Sequence, residues 1–594
     1  MLHRGPDDGG QISLGPLTMG MRRLAIFDPA HGAQPMQTDD ERFHIVFNGA
    51  IFNHRELRTE IEATGISFST HCDTEVLLKA WALWGEAVLP RLRGMFAFAI
   101  WDDQTESLTL ARDPLGIKPL YFSERNGALL FASELNALCA SQQFDAEIDP
   151  VAIDDFLRHL GVPVPRTIYR NARSLRPAEV AIWRASTMKI RRYWQLPQTH
   201  PERLTDRTEF VTALRGQLES SIAAHRLADV PVGAFLSGGL DSAVVVGLMS
   251  QGSSERLKTF SIGFEESSFS EADAAQETAN HFGTDHHAIT LTGHETAQKL
   301  PGFLASLDQP TGDGLNTFVV SQAARQGGVT VALSGLGGDE LFGGYPQFRQ
   351  SPQIARWLPW WRQIPLPLRS AVCRRLERGS TRARRLADVI RNSRDLHDVA
   401  DRQREVLSDR ARTSLLLQPV APHPHPAQDE LRAVTESSSA EEIVSAWELN
   451  TYMADVLLRD SDVFSMQASL ELRVPLVDRP LVEWVWQQDS RFKFDRQTPK
   501  GALRDAVADF LPPGLMNRRK QGFSLPFPAW MRGPLKSFLE ETLSIETIRN
   551  TGYLNPQGVS NFWSDFRDGA KNKNWSRVWS LAVLVAFLNR KGRS

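Results

Sequence analysis

Residues 232–242 read Val-Gly-Ala-Phe-Leu-Ser-Gly-Gly-Leu-Asp-Ser, and the apolar run 243–249 follows at once. A β-like run, a Ser/Gly turn and a helix start aim backbone N–H groups at one point, where the helix N-terminus adds partial positive charge. A second element of the same kind, Ser334-Gly-Leu-Gly-Gly-Asp-Glu340, follows the β-like run 329–333. Each turn carries an acid, Asp241 and Asp339, suited to hold Mg²⁺ beside phosphate oxygens. One such turn is an ordinary βα connection; two, each with an acid, predict a nucleotide-cleaving site.

Working outward, helical and β-like segments alternate. Helices are expected over 209–225, 242–249, 271–282 and 296–307, with strands over 232–236, 259–264, 287–291 and 329–333. That alternation predicts a doubly wound parallel sheet with ligands beyond the carboxyl ends of its strands. Before residue 195 the pattern differs. Short β-like runs at 43–47, 96–101, 107–111 and 128–132, with one helix at 73–84, predict an α+β domain on antiparallel sheet. The polar stretch 195–205 reads as a linker. Two domains follow, 1–195 and 206–594, the second ending in long helical patterns from 440 onward.

Bulk properties narrow the function classes. The 594 residues exceed one core. A net charge of −3 gives no electrostatic case for nucleic acid as the main partner. Three cysteines, Cys72, Cys139 and Cys373, form no CxxC pair. The N-terminus has no apolar signal segment, and no apolar run reaches bilayer-spanning length. A cytoplasmic protein without a membrane partner is expected, and 581–588 reads as a buried helix. The Arg- and Trp-rich stretch 349–401 admits a nucleic-acid surface, but a helical insert with snorkelling arginines is the simpler reading. His281, His286 and His287 have no zinc-like spacing and read as a loop-and-strand group.

Further strings accompany the two turns: Thr-Phe-Ser-Ile-Gly-Phe (259–264), Gly-Thr-Asp-His-His (283–287), Leu-Leu-Arg-Asp-Ser-Asp (457–462), Ser-Leu-Glu-Leu-Arg-Val-Pro-Leu-Val-Asp (469–478) and Arg-Arg-Lys-Gln-Gly-Phe (518–523). In this order they resemble the ATP-pyrophosphatase half of glutamine-dependent asparagine synthetases. Residues 3–7, 23–28, 48–57 and 73–76 resemble the class II glutaminase module of the same family. The resemblance implies an N-terminal Ntn-type glutaminase sandwich, incomplete here, before the pyrophosphatase domain.

It also implies roles. Leu236, Ser237, Gly238, Gly239, Leu240, Asp241, Ser242, Ile262, Ser334 and Gly335 would bind ATP and its pyrophosphate. Asp241 and Asp339 would hold Mg²⁺, and Lys520 would stabilise charge at the α-phosphate. Arg23, Asn48, Gly49 and Asp73 would bind glutamine, with Asn48 and Gly49 as its oxyanion hole. The implied substrates are aspartate, ATP and glutamine or ammonia, passing through β-aspartyl-AMP, and a homodimer is compatible with this.

Two departures stand out. The family's nucleophile is a cysteine at residue 1 of the mature chain; here residue 2 is Leu and the strand that would carry the cysteine is absent. Internal cysteines lack the free α-amine that serves as base. The polypeptide as written is expected not to hydrolyse glutamine. A start placed too late and a genuine ammonia-using synthetase both explain this, and the upstream reading frame separates them. Leu336 and Ala50 stand where family members often carry Glu. Leu336 in particular keeps open a carboxylate other than aspartate; an amidotransferase or β-lactam-synthetase-like adenylating enzyme is the alternative reading, and the intact glutamine-binding set argues against a cyclase. A non-enzymatic descendant is a third reading, opposed by the complete ATP set.

Overall fold

The computed structural model describes residues 1–197, 203–251, 255–266, 269–495, 498–518, 525–569 and 575–591. Its N-terminal strands are β1 (Asp8–Leu14), β2 (Leu17–Arg23), β3 (Met36–Gln37), β4 (Phe43–Ile51), β5 (Gly94–Asp102), β6 (Ser107–Arg112), β7 (Tyr121–Arg125), β8 (Ala128–Ala132), β9 (Arg173–Ser174), β10 (Glu179–Arg184) and β11 (Thr187–Arg192). A six-stranded antiparallel sheet runs β11-β10-β6-β5-β4-β3. Both its faces are apolar, and strand alternation sorts them. Phe43, Ile45, Phe47, Phe96, Phe98 and Ile100 meet helix Asp73–Trp84 on one side. Val46, Ala97, Ala99, Trp101, Leu108 and Leu110 meet the β1–β2 hairpin and the β8-β7-β9 sheet on the other. The result is a sandwich with a helical layer.

The second half holds β12 (Val232–Phe235), β13 (Lys258–Phe264), β14 (Asp285–Leu291), β15 (Val331–Leu333) and β16 (Glu471–Arg473) in one parallel sheet, order β14-β13-β12-β15-β16. The chain winds outward from β12 to β14, then returns to place β15 on the free side of β12. Neighbouring strands thus send their connections apart, which opens a crevice at their carboxyl ends. The two Ser/Gly turns flank that crevice. Helix Leu240–Ser250 packs its Ala243–Met249 run fully inside, as an apolar run bounded by a turn should. Helix Trp575–Lys591 buries 581–588 inside the protein. Among the described residues no helix is long and apolar enough to cross a membrane.

Several elements fall outside the expected ones, helices His54–Glu62 and Pro150–His159 of the first half among them. Helix Leu315–Gln326 lies between the expected helix 296–307 and strand 329–333. Strand β16 is a three-residue Glu-Leu-Arg segment, too short to show periodicity. Its placement matters, because β16 joins the halves. Arg4 Nη2 lies 2.7 Å from Asp462 and Lys118 Nζ 3.1 Å from the same carboxylate, all three buried. Arg93 adds a bridge to Asp478 at 2.5 Å.

Candidate active sites

In the parallel sheet, β12 ends one residue before buried Leu236. Its turn is braced from within. The Ser237 N–H donates to Ser242 Oγ at 3.1 Å, the two hydroxyls lie 3.0 Å apart, and the Gly239 N–H donates to Ser237 Oγ at 3.2 Å. The Gly238 N–H donates to Glu271 Oε2 at 3.1 Å. A carboxylate of the chain therefore already occupies one amide of the turn, the kind of partner a phosphate oxygen would be.

The second turn lies against the first. A Cβ on Gly335 would stand 2.6 Å from the Asp241–Ser242 peptide, and one on Gly338 2.5 Å from Asp241 Oδ1. Gly337, at φ +101°, presses on Val477 and accepts no side chain. The glycines bring Asp339 and Asp241 to one cation. Lys500 Nζ lies 2.5 Å from Asp241 Oδ2 and 2.6 Å from Asp339 Oδ1. Burial lowers the affinity of this amine for its proton, but the two carboxylates outweigh it and the pKa is raised. Lys500 is therefore charged. Two carboxylates converging on one positive centre fit Mg²⁺ as well, since that ion takes one or two carboxylates and completes its shell with substrate phosphates and water.

Sequence reasoning missed Lys500. It lies in Thr-Pro-Lys-Gly with φ +57°, caps helix Gly501–Val507, and carries no local signature of a site. Lys520, the expected cation, falls outside the described residues. Ile262 sits buried in β13, and Ser334 donates its N–H to the Arg473 carbonyl at 2.8 Å, tying the second turn to β16. Leu336 is half-buried against the core around β12 and β15.

The N-terminal site is a separate cleft. Arg23, Asn48, Gly49 and Asp73 line it together, with Glu471 reaching in from β16. Strand β4 runs on past the expected 43–47 and carries Asn48 and Gly49 within it. Gly49, at φ +155°, has its Cα side pressed to the Met95 carbonyl, so only glycine fits. Asn48 Nδ2 is buried and has no hydrogen-bond partner among the described residues. An unsatisfied buried donor is costly, and this one borders a cleft. Asp73 opens helix Asp73–Trp84, and its Oδ2 accepts the Ile51 N–H at 2.9 Å. Burial, aided by Glu471, pushes Asp73 up to about 7 against the pull of Ile51 and Arg473. Arg23 spends Nη1 and Nη2 on the carbonyls of Pro29, Phe27 and Asp28, so it also holds the loop that edges the cleft.

Cys72 adjoins Asp73 but is buried, contacts Thr70 Oγ1 at 3.0 Å, and has its thiol pKa raised by burial, the reverse of an activated nucleophile. His286 bonds Thr259 and Ser261 at 2.9 and 3.0 Å within the sheet. Among the described residues no three ligating side chains cluster as a metal site.

An antiparallel sandwich with a cleft lined by Arg23, Asn48, Gly49 and Asp73 is thus fused to a parallel sheet with two Ser/Gly turns at its strand ends. Residues 1–194 match the glutamine amidotransferase domain and residues 213–589 asparagine synthase. The chain belongs to the asparagine synthase family. It is 32% identical to glutamine-hydrolyzing asparagine synthetase 1 of Bacillus subtilis over 99% of this chain and 92% of that one. It is 32% identical to glutamine-hydrolyzing asparagine synthetase B of Escherichia coli over 59% of this chain and 61% of that one. It is also 26% identical to the amidase chyE of Penicillium rubens over 93% of this chain and 87% of that one.

Proposed function

We propose that the chain amidates aspartate to asparagine at the expense of ATP, through a β-aspartyl-AMP intermediate formed between the two Ser/Gly turns. The observation that carries this is the convergence of Asp241 and Asp339, from neighbouring strand ends, on the Lys500 ammonium. The Ser237–Ser242 turn would bind the pyrophosphate portion through its amides and hydroxyls, and Leu236 and Ile262 would pack the adenine. Mg²⁺, held by the two carboxylates, would offset phosphate charge. A β-carboxylate oxygen attacks the α-phosphorus and the α–β P–O bond breaks. Lys500 then faces the charge that builds on the phosphates, and pyrophosphate leaves with the electron pair. Ammonia attacks the acyl carbon, AMP departs, and the nitrogen sheds a proton to give the amide.

In the N-terminal cleft, Asn48 Nδ2 and the Gly49 N–H would receive the amide oxygen of glutamine and Asp73 its ammonium. Arg23 would meet its carboxylate. The domain limits 1–195 and 206–594 belong to this reading. Aspartate-dependent exchange of pyrophosphate into ATP tests it: exchange that needs aspartate and Mg²⁺ supports it, and exchange indifferent to aspartate refutes it. Leu336 supports a second reading, in which the same adenylation serves a different carboxylate, because an apolar side chain at the second turn gives no polar contact to an amino-acid head group.

A further inference from the structure

Three helices, Gln347–Gln363, Leu366–Glu377 and Thr381–Asn392, follow the second turn just past Gly343–Gly344. Leu358 and Val389 pack with Val399 of the following helix, Leu396–Arg404, with Ile354 and Trp361 against them. What the three helices leave outside is unusual. Of thirteen large apolar side chains exposed among the described residues, seven lie in this insert: Trp357, Trp360, Ile364, Leu366, Leu368, Val372 and Leu386. Trp357 and Trp360 are two-thirds exposed, as is Leu366. Six of them, from Trp357 to Val372, fall in one stretch of chain on either side of the turn at Ile364–Pro365, and Trp357/Trp360 and Leu368/Val372 have the spacing that puts side chains on one helix face. Such a patch on a water-exposed surface marks a contact site.

Charge identifies the contact. Residues 347–392 contain eleven arginines, no lysine, and only Glu377 and Asp388 as acids, in a chain whose overall net charge is −3. Arg356, Arg362, Arg374, Arg375, Arg378 and Arg384 are exposed. We propose that this insert is an interfacial anchor that lays its Trp- and Leu-bearing tip into an anionic lipid surface, with its arginines at the headgroups. Exposed Trp and Leu side chains interleaved with arginines suit the headgroup zone of an anionic bilayer, where rings and aliphatic groups leave water while guanidinium groups meet phosphates, without spanning it. A second copy of the insert is a poor occupant, because two strongly basic surfaces repel. A nucleic acid would use the arginines and tryptophans, but gains little from Ile364, Leu366, Leu368, Val372 and Leu386, which gain most from leaving water. This goes beyond the amidation proposed above and does not depend on it.

The test is flotation of the full chain with vesicles rich in phosphatidylglycerol and with vesicles of pure phosphatidylcholine. Binding to the anionic vesicles that weakens with salt is expected. The Arg374→Gln/Arg375→Gln pair should weaken it by about fivefold per arginine. The Trp357→Ser/Trp360→Ser pair should weaken it by about tenfold or more. All these side chains are exposed, so thermal midpoint and ATP–pyrophosphate exchange should stay at the parent values. Three results overturn the proposal: no flotation with anionic vesicles, equal flotation with phosphatidylcholine, or flotation insensitive to both double variants. Tighter binding to a single-stranded oligonucleotide than to anionic vesicles, lost in the same variants, overturns it in favour of nucleic acid.

Discussion

The Lys500 ammonium lies 2.5 Å from the Asp241 carboxylate although 259 positions separate them, and Asp339 closes the group from the neighbouring strand end. Two half-buried acids facing each other would repel without that cation. Lys500 therefore holds the two acids together, and in the proposed reaction it would meet phosphate charge.

Replacing Lys500 separates those two functions. Lys500→Met should lower ATP–pyrophosphate exchange by about 10²–10³-fold, the usual cost of losing one preorganised charge stabiliser. It should also lower the thermal midpoint in metal-free buffer, with recovery on adding Mg²⁺, because a divalent ion can replace the lost positive charge between Asp241 and Asp339. Calorimetry with and without Mg²⁺ measures the second effect. An equal loss of stability in both buffers would show that the acids do not share a cation site.

Gly338→Ala tests the contact between the turns. Its Cβ would stand 2.5 Å from Asp241 Oδ1 in a place bounded by the second turn. Overpacking of this kind costs about 1–3 kcal/mol. The KM for ATP should rise with the fold retained by circular dichroism; an unchanged KM would mean the turns are further apart than 335 and 338 indicate.

Asp73 predicts a pH dependence. Its folded pKa, about 7, lies above the ordinary carboxylate value, so the folded state holds this proton more tightly than the unfolded chain. Stability from this group is then full at pH below about 4 and falls as pH rises toward 7. Asp73→Asn should flatten the fall in thermal midpoint between about pH 4 and 7, since Asn still accepts the Ile51 N–H. Glutamine binding by titration calorimetry should strengthen as pH rises through 7, where the carboxylate becomes free to pair with an ammonium, and the variant should lose that trend.

Asp462 is shared by Arg4 and Lys118 across the junction of the halves, all buried. Asp462→Ala would leave Arg4 with Glu134 alone and Lys118 with the more distant Glu471 alone, a loss of up to about 3–5 kcal/mol. The measured quantity is the urea midpoint, and a shift no larger than that of a surface salt-bridge variant such as Glu62→Ala would contradict it.

Much of this was legible in the sequence where local pattern and packing agree. The turn at 237–242 shows itself through its Ser/Gly content after an apolar run, and the apolar helix 243–249 is buried as its composition requires. Strands β4 and β5 sort Phe43, Ile45 and Phe47 from Val46 by simple alternation. What escaped depends on distant neighbours. Strand β16 is formed by its pairing with β15 and has only three residues to display. Lys500 is one lysine after a proline, and only the folded chain brings it to Asp241. Glu471 resembles an ordinary strand acid, yet it lines the cleft around Asp73 because the parallel sheet abuts the sandwich.

The most direct measurement is pyrophosphate exchange into ATP by the purified chain, with and without aspartate, beside Asp241→Ala. The account predicts exchange that requires aspartate and Mg²⁺ and falls to background in Asp241→Ala. Exchange that survives in Asp241→Ala would contradict the placement of ATP between the two turns.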